Sequence, residues 1–523
     1  MENQTKRSME YFVHRKYRLV LGGVMVGAAS GLVVSLFRLV LQKAGEWRPL
    51  LTQWATEGGL ALVGAVCLFV LCYLVVYLAY RQVPLSSGSG IPQVKGELLG
   101  QVDQPWMQVL VAKFAAGFCA MGAGLSLGRE GPSVQIGAMT GKAVARVQRK
   151  TPTEEKMMMT CGAAAGLSGA FCAPFAGTVF ALEELHKNFS ADIMVSTMAA
   201  SVTSDFVAVN LFGLSPVFTL PVPEKLILPE YWRVILLGIL LGVFGVIYNR
   251  FTDFVQNLYG RIPWKSLRIA IPFGFAALFV CVLPQVLGGG HELAGEIAEG
   301  LFSVKMLLLL FGAKFLFSMI SFGSGAPGGI FLPLLVLGAL IGGLYGEAMV
   351  GLSLDPVYRV NFVTLGMAGC FTAIVRSPVT GVILITEMTG NFTNFLPLTI
   401  VALIAYVTAE ALGGQPIYDQ LLARLLTGKN LHTVTQEGRS VRSKVLIESP
   451  VYMGSQMDGK ELSQMHLPPG CLVVSVQRAE KEVVPSGTTV LQGGDQIVVF
   501  CAESYAAQVD AQLDEICRTI LRR

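Results

Sequence analysis

Charged residues are scarce in this chain. Asp, Glu, Lys and Arg make up 14% of its 523 residues, whereas hydrophobic residues make up 53%, and the mean hydropathy is +0.59. Soluble globular domains carry about 25% charged residues. The scarcity of charge therefore excludes an ordinary soluble protein for most of the sequence and favours a membrane protein.

Patterns that hold metals or nucleic acids are also missing. The ten cysteines occur singly, and the five histidines do not cluster with Cys, Asp or Glu at ligand spacing, so the sequence predicts no metal site and no cofactor. The cysteines are expected to be small buried apolar residues. Basic stripes with interleaved aromatic residues do not occur either, which argues against a nucleic-acid partner.

What the chain does contain is a series of apolar runs long enough to cross a bilayer, for example residues 19–42, 60–80 and 304–322. The first run is too long for a cleavable signal and lacks a small-residue cleavage site, so we expect it to stay in the membrane. Basic residues precede this run and recur within residues 142–156. By the positive-inside rule both regions, and hence the N-terminus, lie in the cytoplasm of a multi-pass protein of the cell membrane.

Charge density rises near residue 433. The last 91 residues carry 20 charged side chains, and the preceding 432 carry 54. The chain therefore divides into four parts. A cytoplasmic N-terminus (residues 1–18) precedes a polytopic α-helical transmembrane domain (19–426), and a linker (427–442) leads to a small soluble α+β domain with a cytoplasmic C-terminus (443–523). In the last segment, β-rich runs at 444–451, 471–477 and 496–501 and a helical run at 506–521 predict the secondary structure.

Two parts of the transmembrane segment repeat one another. One block matches at an offset of 201 residues and a second at 204, which pairs Gly128/Gly329, Pro132/Pro333, Gly137/Gly338, Gly162/Gly366, Pro174/Pro378 and Glu183/Glu387. Repeated apolar segments that Gly and Pro interrupt at corresponding positions are typical of transporters with a substrate site near the middle of the membrane.

Gly-rich turns followed by Pro interrupt the apolar segments at residues 88–92, 122–132, 161–174 and 323–333. Gly before Pro is typical of a helix start, and helix N-termini that converge inside a membrane bind a small anion through partial charges. Such binding is weak enough for release. Alternatively, glycines permit close helix packing, which explains an isolated glycine but not four such breaks.

One of these breaks carries a carboxylate. Glu130 lies where a helix N-terminus would hold the anion, so its ionised form competes with the anion and its protonated form leaves, which links proton and anion occupancy. The alternative is that Glu130 only complements the helix dipole, but the second copy has an apolar residue there. Arg129 is expected to have an ion-pair partner such as Glu97 rather than to bind the anion.

A pair of adjacent acids follows the second break of the first copy. Glu183 matches Glu387 in the second copy, so both are predicted to be structural. Glu184 has Met388 as its counterpart and breaks the symmetry. It is the better candidate for a second acid that carries protons.

These residues resemble the CLC family of chloride channels and chloride/proton exchangers, over roughly residues 15–430. The three anion motifs of that family are matched by Gly88-Ser89-Gly90-Ile91-Pro92, Gly128-Arg129-Glu130-Gly131-Pro132 and Gly329-Ile330-Phe331-Leu332-Pro333. The resemblance implies a CLC fold with an inverted-topology repeat and broken helices. It also implies a homodimer in the lipid bilayer that exchanges chloride for protons.

The same resemblance implies the site residues. Chloride would be held by the hydroxyls of Ser89 and Tyr418 and by the backbone N–H groups of Ile330 and Phe331. Glu130 would be the gating glutamate, and Glu184 the inner proton glutamate.

An acid at position 184 makes the chain resemble the exchangers of the family, because many of its channels have a neutral residue there. A passive voltage-gated-type chloride channel is the alternative function. With Ser89 in its first anion motif, the chain resembles the chloride-preferring members of the CLC family. Lys95 is a departure, since some exchangers have an acid at this position, so ion pairs inferred from relatives do not carry over.

The tail resembles the TrkA-C subdomain of potassium-conductance regulators through His466-Leu467-Pro468, Cys471–Gln477, Val484–Thr489 and Gly493-Gly494-Asp495. This resemblance implies a dimerising domain that binds a small cytoplasmic effector, such as a nucleotide or a cyclic dinucleotide. A passive dimerisation or stability domain is the alternative.

The motif Gly166-Leu167-Ser168-Gly169 resembles the nucleophile motif of intramembrane serine proteases, which would make the protein an enzyme. None of the histidines lies within an uninterrupted apolar span, and a serine without a base is a weak nucleophile. Ser168 pairs with Thr372 in the repeat and is flanked by small residues, so packing explains it better. No enzymatic activity is predicted.

Overall fold

A computed structural model describes residues 2–57, 59–187, 190–214, 217–218, 220, 224–428, 444–464, 471–478, 481–502 and 506–518. The chain divides into two compact units, Met1–Lys429 and Asn430–Arg523. Most of the predicted linker and the motif His466-Leu467-Pro468 lie outside the described residues.

The first unit is helical. Its helices are α1 Glu2–Glu57, α2 Gly59–Gln82, α3 Ile91–Leu98, α4 Trp106–Gly122, α5 Glu130–Val147, α6 Pro152–Phe171, α7 Pro174–Phe180, α8 Ala191–Phe212, α9 Tyr231–Gly260, α10 Lys265–Val282, α11 His291–Glu299, α12 Val304–Gly323, α13 Phe331–Val350, α14 Arg359–Val375, α15 Pro378–Thr389, α16 Phe395–Ala411 and α17 Ile417–Gly428. A π-helical turn, Ala181–His186, continues α7.

Eight helices in the described part of the chain are long and apolar enough to cross a membrane. They include the three predicted runs, as Tyr17–Glu46, Val63–Gln82 and Val304–Gly323. In the apolar stretch of α13, 83% of the residues are buried, compared with 6% in that of α2. Helix α13 therefore belongs to the protein core, whereas α2 presents its apolar side chains outward, as a lipid-facing helix does.

Helices start at all four predicted breaks, because each combines a turn with Pro in the first turn of the next helix. Helix α3 begins after Gly90, whose φ is +96°, and α5, α7 and α13 begin at Glu130, Pro174 and Phe331. The third break is shorter than predicted. Helix α6 continues through Cys161 to Phe171, and only residues 172 and 173 separate it from α7.

Within each repeat, the two matched glycine blocks pack against each other. A Cβ atom added to Gly137 would meet the carbonyl oxygen of Gly162, and one added to Gly338 would meet that of Gly366. These contacts join α5 to α6 and α13 to α14 backbone to backbone. Close packing, the alternative considered for isolated glycines, is therefore the role of these four.

The cysteines divide by position. Cys119, Cys161 and Cys370 are buried as predicted, but Cys67 and Cys281 are exposed. The prediction was wrong for these two because they lie on outward-facing sides of the apolar helices α2 and α10, where a small apolar residue is also tolerated.

The second unit is an α+β domain with a core of its own. It contains the strands β1 Lys444–Pro450, β2 Leu472–Arg478, β3 Lys481–Val483 and β4 Gln496–Ala502 in the order β1-β4-β2-β3, with antiparallel pairing throughout, followed by α18 Ala506–Leu513 and a π-helical turn Asp514–Arg518. Three strands confirm the predicted β-rich runs. Strand β3 has only three residues, too few for an alternating pattern, and was missed.

Candidate functional site

The second and third Gly-rich motifs meet in space. Gly128 and Gly329 exchange two backbone hydrogen bonds, of 2.7 Å from Gly128 N and 2.8 Å from Gly329 N. A Cβ atom on Gly329 would lie 3.0 Å from the nitrogen of Gly131, and one on Gly128 would lie 3.0 Å from the nitrogen of Leu332. The N-termini of α5 and α13 therefore face each other at a separation that larger residues would not permit.

The Glu130 carboxylate lies between these two helix starts and is fully buried. Its Oε2 atom accepts a hydrogen bond of 3.4 Å from the backbone N–H of Leu332 in α13. Its Oε1 atom has no hydrogen-bond partner within the part of the chain that the structure describes. The arrangement is a negative group held by a helix N-terminus, which partial positive charges stabilise.

The Leu332 N–H was not among the predicted site groups. Ile330 and Phe331, which were, form the N-cap and the first residue of α13 and are buried. The Phe331 ring packs against Phe171 and Phe371, with ring centroids 5.5 and 4.8 Å away. A sequence identifies the helix start, but not which amide of its first turn points at a given side chain.

Two further groups of the predicted site are hydroxyls. The Ser89 Oγ and Tyr418 OH atoms are buried, and neither has a hydrogen-bond partner among the described residues. Ser89 lies against the start of α5, since a Cβ atom on Gly131 would collide with its hydroxyl. Tyr418 lies at the start of α17, and its ring packs edge-on against Phe180 of α7, with the ring centroids 6.5 Å apart. Buried hydroxyls normally have a partner, so these two fit a small anion that accepts their hydrogens.

A cavity of about 220 Å³ reaches Ser89. Its walls include Pro92 and Gln93 of α3 and Leu421 and Arg424 of α17. It is large enough to admit a hydrated small ion to the position of Ser89.

Two buried lysines fix the loops before α3 and α11. Lys113 donates to the carbonyl oxygens of Ser86 and Gly88, at 3.0 and 2.6 Å. Its repeat counterpart Lys314 donates to those of Val286 and Gly288. Because each ammonium group is occupied by carbonyls of the loop, the lysines shape the site rather than bind the anion.

The expected pairing of Arg129 with Glu97 was wrong. The Glu97 carboxylate is bonded to the buried ammonium of Lys142 and, at 2.9 Å, to Gln104. The Arg129 guanidinium lies over the Phe171 ring, 5.9 Å from its centroid. Lys142, one of the basic residues within 142–156, lies inside α5, where a buried cation requires an acid nearby.

The structural prediction for Glu183 and Glu387 is explained by reciprocal capping. Glu183 accepts hydrogen bonds from the backbone N–H groups of Val379 and Thr380 at 3.2 and 2.8 Å, at the start of α15. Glu387 accepts from those of Phe175 and Ala176 at 3.1 and 2.7 Å, at the start of α7. Each acid satisfies unpaired helix N–H groups of the other repeat.

Glu184 faces a different environment from Glu183. It lies on the π-helical turn, is 3% exposed, and accepts hydrogen bonds from Lys95 at 2.6 Å and from the Ser377 hydroxyl at 3.2 Å. Lys95 was noted from sequence only as a departure. A lysine within an apolar motif requires an acidic partner, which was the signal for this ion pair.

The comparisons with known proteins agree with this geometry. Residues 71–410 match the voltage gated chloride channel family, and this match covers more than half of the chain. The chain belongs to the CLC family. Residues 446–514 match the TrkA-C domain, which confirms the resemblance of the tail. Family membership and the apolar helices make the protein a multi-pass membrane protein with the CLC fold.

Its relatives within the CLC family include transporters. The H(+)/Cl(-) exchange transporter ClcA of Vibrio parahaemolyticus is 36% identical over 447 residues, which cover 82% of this chain and 94% of that relative. ClcA of Vibrio cholerae is 36% identical over 431 residues, covering 78% and 90%. Among solved structures, a slow cyanobacterial Cl−/H+ antiporter matches with a TM-score of 0.75 and 31% identity, covering 79% of this chain and 99% of the antiporter.

Proposed function

We propose that this CLC protein is a secondary active antiporter that moves chloride across the cell membrane in exchange for protons. The observation that carries the proposal is the buried Glu130 carboxylate at the facing N-termini of α5 and α13, beside the Ser89 hydroxyl. A carboxylate in this position competes with an anion, and a neutral carboxylic acid does not. The exchange transporters among the relatives support an antiporter over a passive channel.

In the proposed mechanism, chloride enters through the cavity beside Ser89 and is held by the hydroxyls of Ser89 and Tyr418 and by the first amides of α13. Glu130 alternates between an ionised form, which occupies the helix N-termini, and a protonated form, which gives way to chloride. Proton and chloride occupancy are linked because the ionised carboxylate of Glu130 and chloride compete for the same position. Helix dipoles bind chloride without a full positive charge and so allow its release.

Glu184 is proposed as the acid that passes protons between the cytoplasm and Glu130. Its burial and its neutral counterpart Met388 in the repeat support this role. The protein is proposed to act as a homodimer with both termini in the cytoplasm, consistent with the basic residues that precede the first span and lie within 146–156.

Reconstitution in liposomes tests the proposal directly. Vesicles loaded with chloride and diluted into low chloride, with no initial pH difference, are expected to take up protons as chloride leaves. Proton movement is followed with a pH electrode, and chloride with an ion-selective electrode. Chloride efflux without any proton uptake would favour the channel and contradict the antiporter.

The TrkA-C unit is proposed to dimerise and to bind a small cytoplasmic effector that alters flux. Its separate core supports independent folding, and Leu472 and Val474 on one face of β2 are 63% and 39% exposed, which supports a pairing surface.

Removal of residues 433–523 should leave coupled exchange intact and abolish any effector response. Thermal-shift screening of the purified tail with cyclic dinucleotides, adenine nucleotides and divalent ions tests binding. A monomeric tail that binds none of them would favour a purely structural domain.

A further inference from the structure

A buried lysine is shared by two acids at one end of the site. The Lys95 ammonium lies 2.6 Å from Oε1 of Glu184 and 2.5 Å from Oδ1 of Asp419. Asp419 also pairs with Lys187 at 2.9 Å. The side chains of Lys95 and Glu184 are 3% and 4% exposed. Only the Asp419 and Lys187 end of the cluster, with 36% and 54% exposure, reaches the surface.

The position of Lys95 connects the proposed proton acid to both hydroxyl-bearing segments. Lys95 lies in α3, whose start follows Ser89, and Asp419 directly follows Tyr418 in α17. The two helices also touch at Gly96, where an added Cβ atom would lie 2.9 Å from Leu422. Because both helices contribute residues to the walls of the cavity beside Ser89, the ion pairs of Lys95 help to hold two of its wall elements together.

The charges of the cluster balance only when Glu184 is ionised. Lys95 and Lys187 then oppose Glu184 and Asp419. Two other acids on these elements have partners of their own, since Glu97 in α3 pairs with Lys142 and Glu183 caps α15. The half-buried His186 is a further titratable group on the π-helical turn that bears Glu184. Protonation of Glu184 therefore leaves two ammonium groups, the buried one of Lys95 and the exposed one of Lys187, sharing the single carboxylate of Asp419, so the buried ammonium is only partly compensated.

We propose that Lys95 is a positioning residue that couples the protonation of Glu184 to chloride binding at Ser89 and Tyr418. When Glu184 is neutral, Lys95 is held by Asp419 alone, and its charge is directed toward α17 and the anion site. Chloride then binds more tightly. When Glu184 is ionised, it neutralises Lys95 and chloride binding weakens. This inference rests on the proposed roles of Glu184 and of the two hydroxyls.

Coupling of this kind is a free energy between two sites and is measured by a double-mutant cycle. Glu184→Gln mimics the protonated acid. In the presence of Lys95, this change should raise chloride affinity about fivefold or more, in the usual range of such couplings. In a Lys95→Met background it should change the affinity less than about twofold. Chloride binding to the purified full-length protein is measured by calorimetry at neutral pH.

A second readout is the pH profile of exchange. Loss of the Lys95 charge favours the neutral form of Glu184, so the midpoint of the proton flux against cytoplasmic pH should move to higher pH, by about one unit. Lys95→Arg should restore the midpoint at least in part. Lys142→Met is the matched control, because it removes a buried lysine from the other acid of α3 and leaves the contacts of Glu184 in place. It should not move the midpoint.

Equal effects of Glu184→Gln with and without Lys95, or an unmoved midpoint in Lys95→Met, would overturn the inference. If Lys95→Met does not fold, Lys95→Gln replaces it in the cycle and should likewise reduce the effect of Glu184→Gln to less than about twofold. Wild-type protein that moves chloride without protons would contradict the antiporter instead, and the two failures are therefore distinguishable.

Discussion

Gly128 and Gly329 occupy the same position in the two repeats and hydrogen-bond to each other through both of their backbone polar groups. The pairing brings the starts of α5 and α13 together, and each glycine leaves room for the amides of the other helix. One start bears the Glu130 carboxylate and the other donates to it from Leu332. The repeat therefore places an acid and an anion-binding helix end at the same point.

Glu130→Gln is expected to separate the two fluxes. Glutamine has the shape of the protonated acid but cannot exchange a proton, and it does not compete with chloride at the helix N-termini. Chloride flux should persist, and chloride-driven proton uptake should fall by about 100-fold or more, the scale of a lost proton-transfer group. The check is the liposome assay with both electrodes. Coupled proton uptake that survives in this variant would exclude Glu130 as the shared gate.

Ser89→Ala and Tyr418→Phe are each expected to weaken chloride binding. Each removes a buried hydroxyl for which no other partner exists among the described residues. A hydrogen bond to a charged group contributes about 1.5–3 kcal/mol, so the affinity should fall about tenfold to 100-fold. Chloride titration calorimetry measures it. Ser168→Ala is the matched control, because this buried hydroxyl donates to Ser201 at 2.8 Å. Its loss should lower stability and leave chloride affinity unchanged.

Adjacent acids should give opposite phenotypes. Glu184→Gln should keep chloride flux and lose proton flux, because the acid accepts hydrogen bonds from the side chains of Lys95 and Ser377, whereas Glu183 caps backbone N–H groups. Glu183→Gln should preserve the ratio of protons to chloride and lower the stability of the folded protein by about 1–2 kcal/mol, because it removes a charge from the N-terminus of α15. Flux ratios and thermal denaturation in detergent measure the two effects. Exchanged phenotypes would refute the assignment.

Much of this site follows from local sequence signals. Gly and Pro mark where helices begin, so the starts of α3, α5, α7 and α13 could be predicted without a structure. The symmetry between Glu183 and Glu387 likewise predicted their structural role. Both signals depend on neighbours in sequence or on repetition at a fixed offset.

Partners of buried charges were harder to predict. Lys95 binds an acid 89 residues away, and Glu97 binds Lys142 rather than Arg129. A sequence shows that a buried cation needs an acid, but several acids are available and only the packing of α3, α5 and the π-helical turn decides between them. The Leu332 amide was missed for a related reason, because the rotation of α13 determines which N–H group faces Glu130.

Gly338→Ala should destabilise the transmembrane unit. The added methyl group would collide with the carbonyl of Gly366, where α13 and α14 meet backbone to backbone. Overpacking of this kind costs about 1–3 kcal/mol. Gly312→Ala in α12 is the control, since a Cβ atom there meets nothing within 4 Å, and it should be neutral or stabilising. Thermal denaturation in detergent compares the two, and equal melting temperatures would contradict the close packing.

The tail offers a prediction of pH dependence. The Asp495 side chain is 1% exposed and accepts hydrogen bonds from Arg478 at 2.8 and 2.7 Å and from the Gln492 N–H at 2.8 Å. Burial by itself would raise the pKa of Asp495, but these hydrogen bonds outweigh it and lower the pKa below 3.8. The ionised form is therefore favoured by folding, and its stabilisation is lost as pH falls through the lowered pKa.

Asp495→Asn should consequently destabilise the isolated tail at neutral pH, by about 1–2 kcal/mol because Arg478 is partly exposed. The difference from wild type should stay constant down to about pH 5, where aspartate in an unfolded chain begins to take up protons, and should shrink below that pH. Urea denaturation of residues 433–523 at a series of pH values measures the difference. Glu448→Gln, an exposed acid on β1, should change stability by less than about 0.5 kcal/mol at every pH. A difference for Asp495→Asn that persists unchanged at pH 2 would mean that Asp495 is not stabilised in its ionised form, and that its contacts act through shape alone.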